Sequence, residues 1–160
     1  MLATCAQLRA RKRTMGCLGT LLLLCLPSLL QVASSSEDHI SLSVHALNVL
    51  TGLPATGLTV CLSQVLAPSS QLPDHNQTWM DLMTSNTSTD GRMDKSELAS
   101  LRLEPGTYRL RFATGAYWLQ QGRTSLYPYA DVVFMVTAAD LKLHIPLLLS
   151  PYSYITYRGN

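Results

Sequence analysis

Cysteine is nearly absent where a fold would use it. Of the four cysteines, Cys5, Cys17 and Cys25 precede Glu37, leaving Cys61 alone in the remainder. One thiol closes no intrachain disulfide and supplies no Cys-x-x-Cys metal or redox pair, so Cys61 reads as a small apolar residue in a strand. Charge is sparse at 14%, and from Glu37 onward eight Lys and Arg face ten Asp and Glu. A nucleic-acid surface needs clustered cations, so no nucleic-acid partner is expected. The chain also lacks a Gly-x-Ser-x-Gly elbow, a phosphate-cradling glycine loop and a His-Glu-x-x-His zinc helix, which removes the common signatures of serine hydrolases, nucleotide enzymes and zinc peptidases. Internal repeats and low-complexity tracts are missing too. The one long apolar run, residues 18–32, is broken by Pro27 and falls short of the roughly 20 residues of a spanning helix.

That run belongs to an N-terminal pattern. Arg9, Arg11, Lys12 and Arg13 precede it, and Ala33-Ser34-Ser35-Ser36 follows it. A basic region, an apolar region and a small-residue exit are the three parts of a secretory leader. Residues 1–36 are therefore expected to be a signal peptide, with no stable membrane association after its removal. A retained anchor, or initiation at Met15, are the competing readings. Two N-glycosylation triplets, Asn76-Gln77-Thr78 and Asn86-Thr87-Ser88, agree with a secretory route. Residues 37–160 suffice for one domain with a real core.

Within that domain the dominant signal is alternation with a period of two, the mark of strands with one face on a core. In residues 41–49, Leu42, Val44 and Ala46 oppose Ser43, His45 and Leu47. Residues 58–66 alternate again, and 79–84 form a further candidate. In 107–113, Tyr108, Leu110 and Phe112 oppose Arg109 and Arg111, and in 130–137, Val132, Phe134 and Val136 share a side. In 141–149, Leu141, Leu143, Ile145, Leu147 and Leu149 face away from Lys142, His144, Pro146 and Leu148, with Pro146 fitting an edge or bulged position. Ser150-Pro151 turns the chain into a last strand at 152–158. Asp90-Gly91 and Glu104-Pro105-Gly106 are turns, residues 67–78 are a surface loop, and 114–122 is the one helix, ended by glycine. About eight short strands and one short helix imply an all-β, antiparallel two-sheet sandwich.

Three side chains carry candidate chemistry. His45 and His144 lie on strand faces away from the apolar row, and Arg92 emerges from the Asp90-Gly91 corner. Each alone is an ordinary solvated residue. Two imidazoles can share a metal, but a third protein ligand is not evident, so no metal is expected.

The C-terminal stretch says more. Residues 144–160 read HIPLLLSPYSYITYRGN, which closely resembles the ending HVPLLLSPxSYxTYRGS typical of 5-hydroxyisourate hydrolases, the enzymatic branch of the transthyretin family. LSVHALNVLTGLPATGL, Asp90-Gly91-Arg92, PGTYRLRF with Tyr117-Trp118 nearby, and Tyr127-Pro128-Tyr129 extend the resemblance from about residue 42 to the end. It implies a transthyretin-like sandwich with His45, Arg92 and His144 as catalytic residues. Tyr157, Arg158 and Gly159 would line the substrate site, with Asn160 standing where the family has serine. It implies no cofactor, a homotetramer with sites at the dimer–dimer contact, and 5-hydroxyisourate as substrate, opened to 2-oxo-4-hydroxy-4-carboxy-5-ureidoimidazoline in urate degradation. A secreted carrier of small hormones, like transthyretin, or a catalytically impaired secreted paralogue are the alternatives. In the carrier branch non-histidine residues replace both histidines, so keeping them favours the hydrolase. Location is in conflict: the family implies peroxisome or cytoplasm, whereas the leader implies secretion, and the Arg-Gly-Asn ending is not a Ser-Lys-Leu address.

Overall fold

Among the described residues the chain forms eight strands and two short helices. In chain order they are β1 (Ser41–Asn48), β2 (Leu53–Pro54), β3 (Thr59–Val65), β4 (Trp79–Asn86), α1 (Lys95–Ser100), β5 (Gly106–Phe112), α2 (Thr114–Gln120), β6 (Ala130–Val136), β7 (Lys142–Ser150) and β8 (Ser153–Thr156). The computed structural model describes residues 39–66 and 77–159. The leader 1–36, the Asn76 sequon position, most of the 67–78 loop and Asn160 lie outside the described residues.

The strands make two four-stranded sheets, ordered β2-β1-β7-β8 and β4-β3-β5-β6. All neighbouring pairs run antiparallel except β1 and β7, which are parallel. Alternation puts Leu42, Val44 and Ala46 of β1 and Leu143, Ile145, Leu147 and Leu149 of β7 in the core, against Val60 and Leu62 of β3 and Tyr108, Leu110 and Phe112 of β5. Each fully buried side chain of this kind contributes about 1.5–3 kcal/mol of burial free energy. Leu141, expected on the core face, precedes β7 and is exposed. The expected helix is α2, which buries Tyr117 and Trp118.

Other local features depart from the sequence expectation, among them the two-residue strand β2, a second helix and the place of Pro146. A second helix, α1, follows Asp94, whose carboxylate accepts the Ser96 and Glu97 backbone N–H at 2.7 and 3.1 Å. That cap satisfies orphan donors of a first turn, in a helix that buries only Leu98. Pro146 lies on an inner strand, not an edge. It is tolerated because the β7–β8 ladder stops at Leu147↔Thr156 and resumes in the same register at His144↔Gly159. A residue without an N–H falls in the gap, and its carbonyl accepts the Thr156 hydroxyl at 2.9 Å.

Candidate functional site

The parallel pairing of β1 with β7 sets Ser43 opposite His144 and His45 opposite Pro146. Partners across a ladder point to the same face, as do residues two apart along a strand. Ser43, His45 and His144 therefore share the outward face of this sheet. The two imidazole centroids are 6.4 Å apart, with the rings inclined at 35°.

Arg92 reaches the same face through a tight corner. Gly91 adopts φ +75°, a left-handed conformation that costs glycine nothing. A Cβ there would strike the Ala46 carbonyl oxygen and sit 3.0 Å from the Pro54 Cβ. The Gly91 carbonyl accepts the Ala46 N–H at 2.8 Å and the Met93 N–H donates to the Val44 carbonyl at 3.3 Å. Arg92 is thus locked in an antiparallel bridge with His45. Asp90 braces the corner, its carboxylate accepting the Arg92 backbone N–H at 3.1 Å and lying 3.7 Å from the guanidinium Nε. A hydrogen bond from Ser88, above all, holds the Asp90 carboxyl below its usual range.

A pocket of about 280 Å³ opens here, lined by Ser41, Ser43, Arg92, Lys142, Leu143 and His144. Arg92 Nη1 donates to Ser43 Oγ at 3.3 Å, and the same Oγ lies 3.3 Å from His144 Nδ1. Burial first, and then the Arg92 guanidinium, hold His45 below its ordinary value of 6.5. The neutral imidazole is favoured because a partly desolvated cation beside another cation is costly. His45 does not line the pocket but stands beside it, its ring 6.4 Å from that of His144. The lining imidazole and two cationic groups, His144, Arg92 and Lys142, suit an anionic or oxygen-rich ligand better than a metal ion. Among the described residues no group of three or more His, Cys, Asp or Glu is placed to hold one.

The structure thus brings His45, Arg92 and His144 together from positions far apart in the chain. Gly159 joins them, its N–H donating to the His144 carbonyl at 2.8 Å. A Cβ on Gly159 would run into the imidazole of His144, 3.0 Å from its Cγ, so only glycine lets the tail lie across that ring. Tyr157 is exposed, and Arg158 forms an ion pair with the buried Asp140 at 3.0 Å; neither lines this pocket. Asn160 lies outside the described residues. Ser43 and Lys142 escaped the sequence reading. The period-two pattern places Ser43 beside His45, but only the register to β7 reveals its neighbours.

A two-sheet sandwich whose outward face gathers two histidines and an arginine under a C-terminal glycine defines a class of small-molecule site. The chain belongs to the HIUase/Transthyretin family, whose model matches residues 42–159. It is 47% identical over 119 residues to the 5-hydroxyisourate hydrolase of Mus musculus, covering 74% of this chain and 94% of the mouse protein. Among solved structures, a 5-hydroxyisourate hydrolase from Klebsiella pneumoniae aligns with a TM-score of 0.59 and 30% identity over 76% of this chain and 94% of its own. Sea bream transthyretin in complex with thyroxine aligns with a TM-score of 0.64 and 29% identity over 74% of this chain and 94% of its own.

Proposed function

We propose that this chain hydrolyses 5-hydroxyisourate, opening its ring to 2-oxo-4-hydroxy-4-carboxy-5-ureidoimidazoline in urate degradation. The observation that carries the reading is the convergence of His45, Arg92 and His144 on one outward face, together with 47% identity to a hydrolase of that name. Attack of water on a ring carbonyl needs a proton acceptor and a partner for the oxyanion. His45, whose pKa is lowered by partial burial and then by Arg92, is favoured in the unprotonated form that a general base needs. Arg92 offers fixed N–H donors to the developing negative charge. His144, its ring held by Ser43 and Gly159, suits the orientation of substrate or water.

The same proposal includes a homotetramer. Both sheets end in strands with exposed apolar side chains: Ile155 on β8, Val133 and Met135 on β6. Exposed edges of that kind invite pairing with a second copy. In such an assembly Tyr157, Arg158 and Gly159 would stand beside the substrate, with Arg158 also fixing the path of the tail through Asp140. We place the mature domain at 37–160 and its destination in the secretory pathway, on the composition of 1–36.

A hormone carrier is the second reading, favoured by the likeness to thyroxine-bound transthyretin. Kinetics separate the two. A hydrolase accelerates the decay of fresh 5-hydroxyisourate, whereas a carrier binds thyroxine and leaves that decay at its spontaneous rate.

A further inference from the structure

Ser43 joins two of the three proposed catalytic side chains. Its Oγ lies 3.3 Å from Arg92 Nη1 and 3.3 Å from His144 Nδ1. These partners arrive from separate segments: His144 through the parallel register of β1 with β7, Arg92 through its bridge to His45.

We propose that Ser43 is a positioning residue for the ring-opening reaction, tying the His144 imidazole to the Arg92 guanidinium so that both address one substrate. This rests on reading the pocket as a hydrolase site. A hydroxyl carries one proton and two lone pairs. The Arg92 N–H occupies one lone pair, leaving the proton and the second lone pair for Nδ1. Engaged in that way, Nδ1 leaves Nε2 as the ring nitrogen for water or substrate, the division of labour by which a partner on one imidazole nitrogen sets the role of the other. Gly159 bounds the ring along Cγ and Cδ2. Turning the imidazole then breaks a hydrogen bond and meets the tail. Ser43 is only half-buried and lies outside the apolar core, so its hydroxyl is not needed to hold the sheets together.

The test compares the purified chain with Ser43→Ala and Ser43→Thr, measuring kcat and KM for 5-hydroxyisourate, the melting temperature, and the ¹⁵N shifts of the His144 ring. Ser43→Ala is expected to lose about tenfold in kcat with KM and melting temperature little changed and the Nδ1 resonance displaced. Ser43→Thr keeps a hydroxyl on a β-branched side chain suited to a strand and is expected to restore both kcat and the resonance. An alanine variant with wild-type kcat and an unmoved Nδ1 resonance overturns the proposal, as does a threonine variant no better than alanine. If the wild-type chain shows no turnover, the hydrolase reading fails instead. The ring shifts still decide whether Ser43 holds His144.

Discussion

Gly159 packs against the imidazole of His144, and its N–H closes on the His144 carbonyl at 2.8 Å. The end of the chain is therefore part of the wall that fixes a proposed catalytic ring. Gly159→Ala forces either the ring or the tail to move, because the new methyl occupies the space of Cγ and Cδ2. A displacement of about 1 Å at such a group costs on the order of a hundredfold. Turnover is expected to fall by roughly ten- to a hundredfold, with the melting temperature little changed, since the tail lies outside the core. Steady-state kinetics and a thermal melt check both halves.

The environment of His45 sets a pH dependence. Burial, then Arg92, lower its pKa from 6.5, so the base form persists below the pH at which a free histidine protonates. The acid limb of kcat/KM is expected below 6.5, with activity lost as pH falls through the lowered value. Stability follows the same sign. The unfolded chain binds a proton first, so this group's contribution is intact above the unfolded value and is lost as pH falls through the folded one. Arg92→Gln removes one depressing charge and should raise the His45 titration, read by NMR of the ring. An unmoved titration would mean that Arg92 does not act on His45.

How much of this was legible in the sequence differs element by element. Apolar alternation located β1 and β5 because each buries one face, and both match it residue for residue. β7 follows it except at Pro146, which is buried, and at Leu141 before it, which is exposed. The helix α1 left no such trace. Six residues with one buried leucine have no periodicity, and only the Asp94 cap signals it. His45 and His144 stood on outward faces by counting alone, yet their proximity depends on a parallel pairing between the first strand and the seventh. Strand patterns do not encode partners, and for that reason Ser43 passed as an ordinary serine. Pro146 suggested an edge or bulge; the inner strand accommodates it through a gap in its ladder to β8.

Asn86 ends β4 with its side chain exposed, accepting a hydrogen bond from Thr59 at 2.7 Å. If residues 1–36 direct secretion, this acceptor meets the glycosylation machinery. Expressed with its own leader in a secreting eukaryotic cell, the chain is expected in the medium with a glycosidase-sensitive mass shift, reduced by Asn86→Gln. A chain retained in the cell, with its leader attached and no such shift, would contradict the secretory proposal.

The most direct test adds freshly generated 5-hydroxyisourate to the purified mature domain and follows its ultraviolet decay. The account predicts decay well above the spontaneous rate, with His45→Ala, Arg92→Ala and His144→Ala each reducing the enzymatic part by about a hundredfold or more. Decay at the spontaneous rate, or three variants as fast as the parent chain, would contradict it.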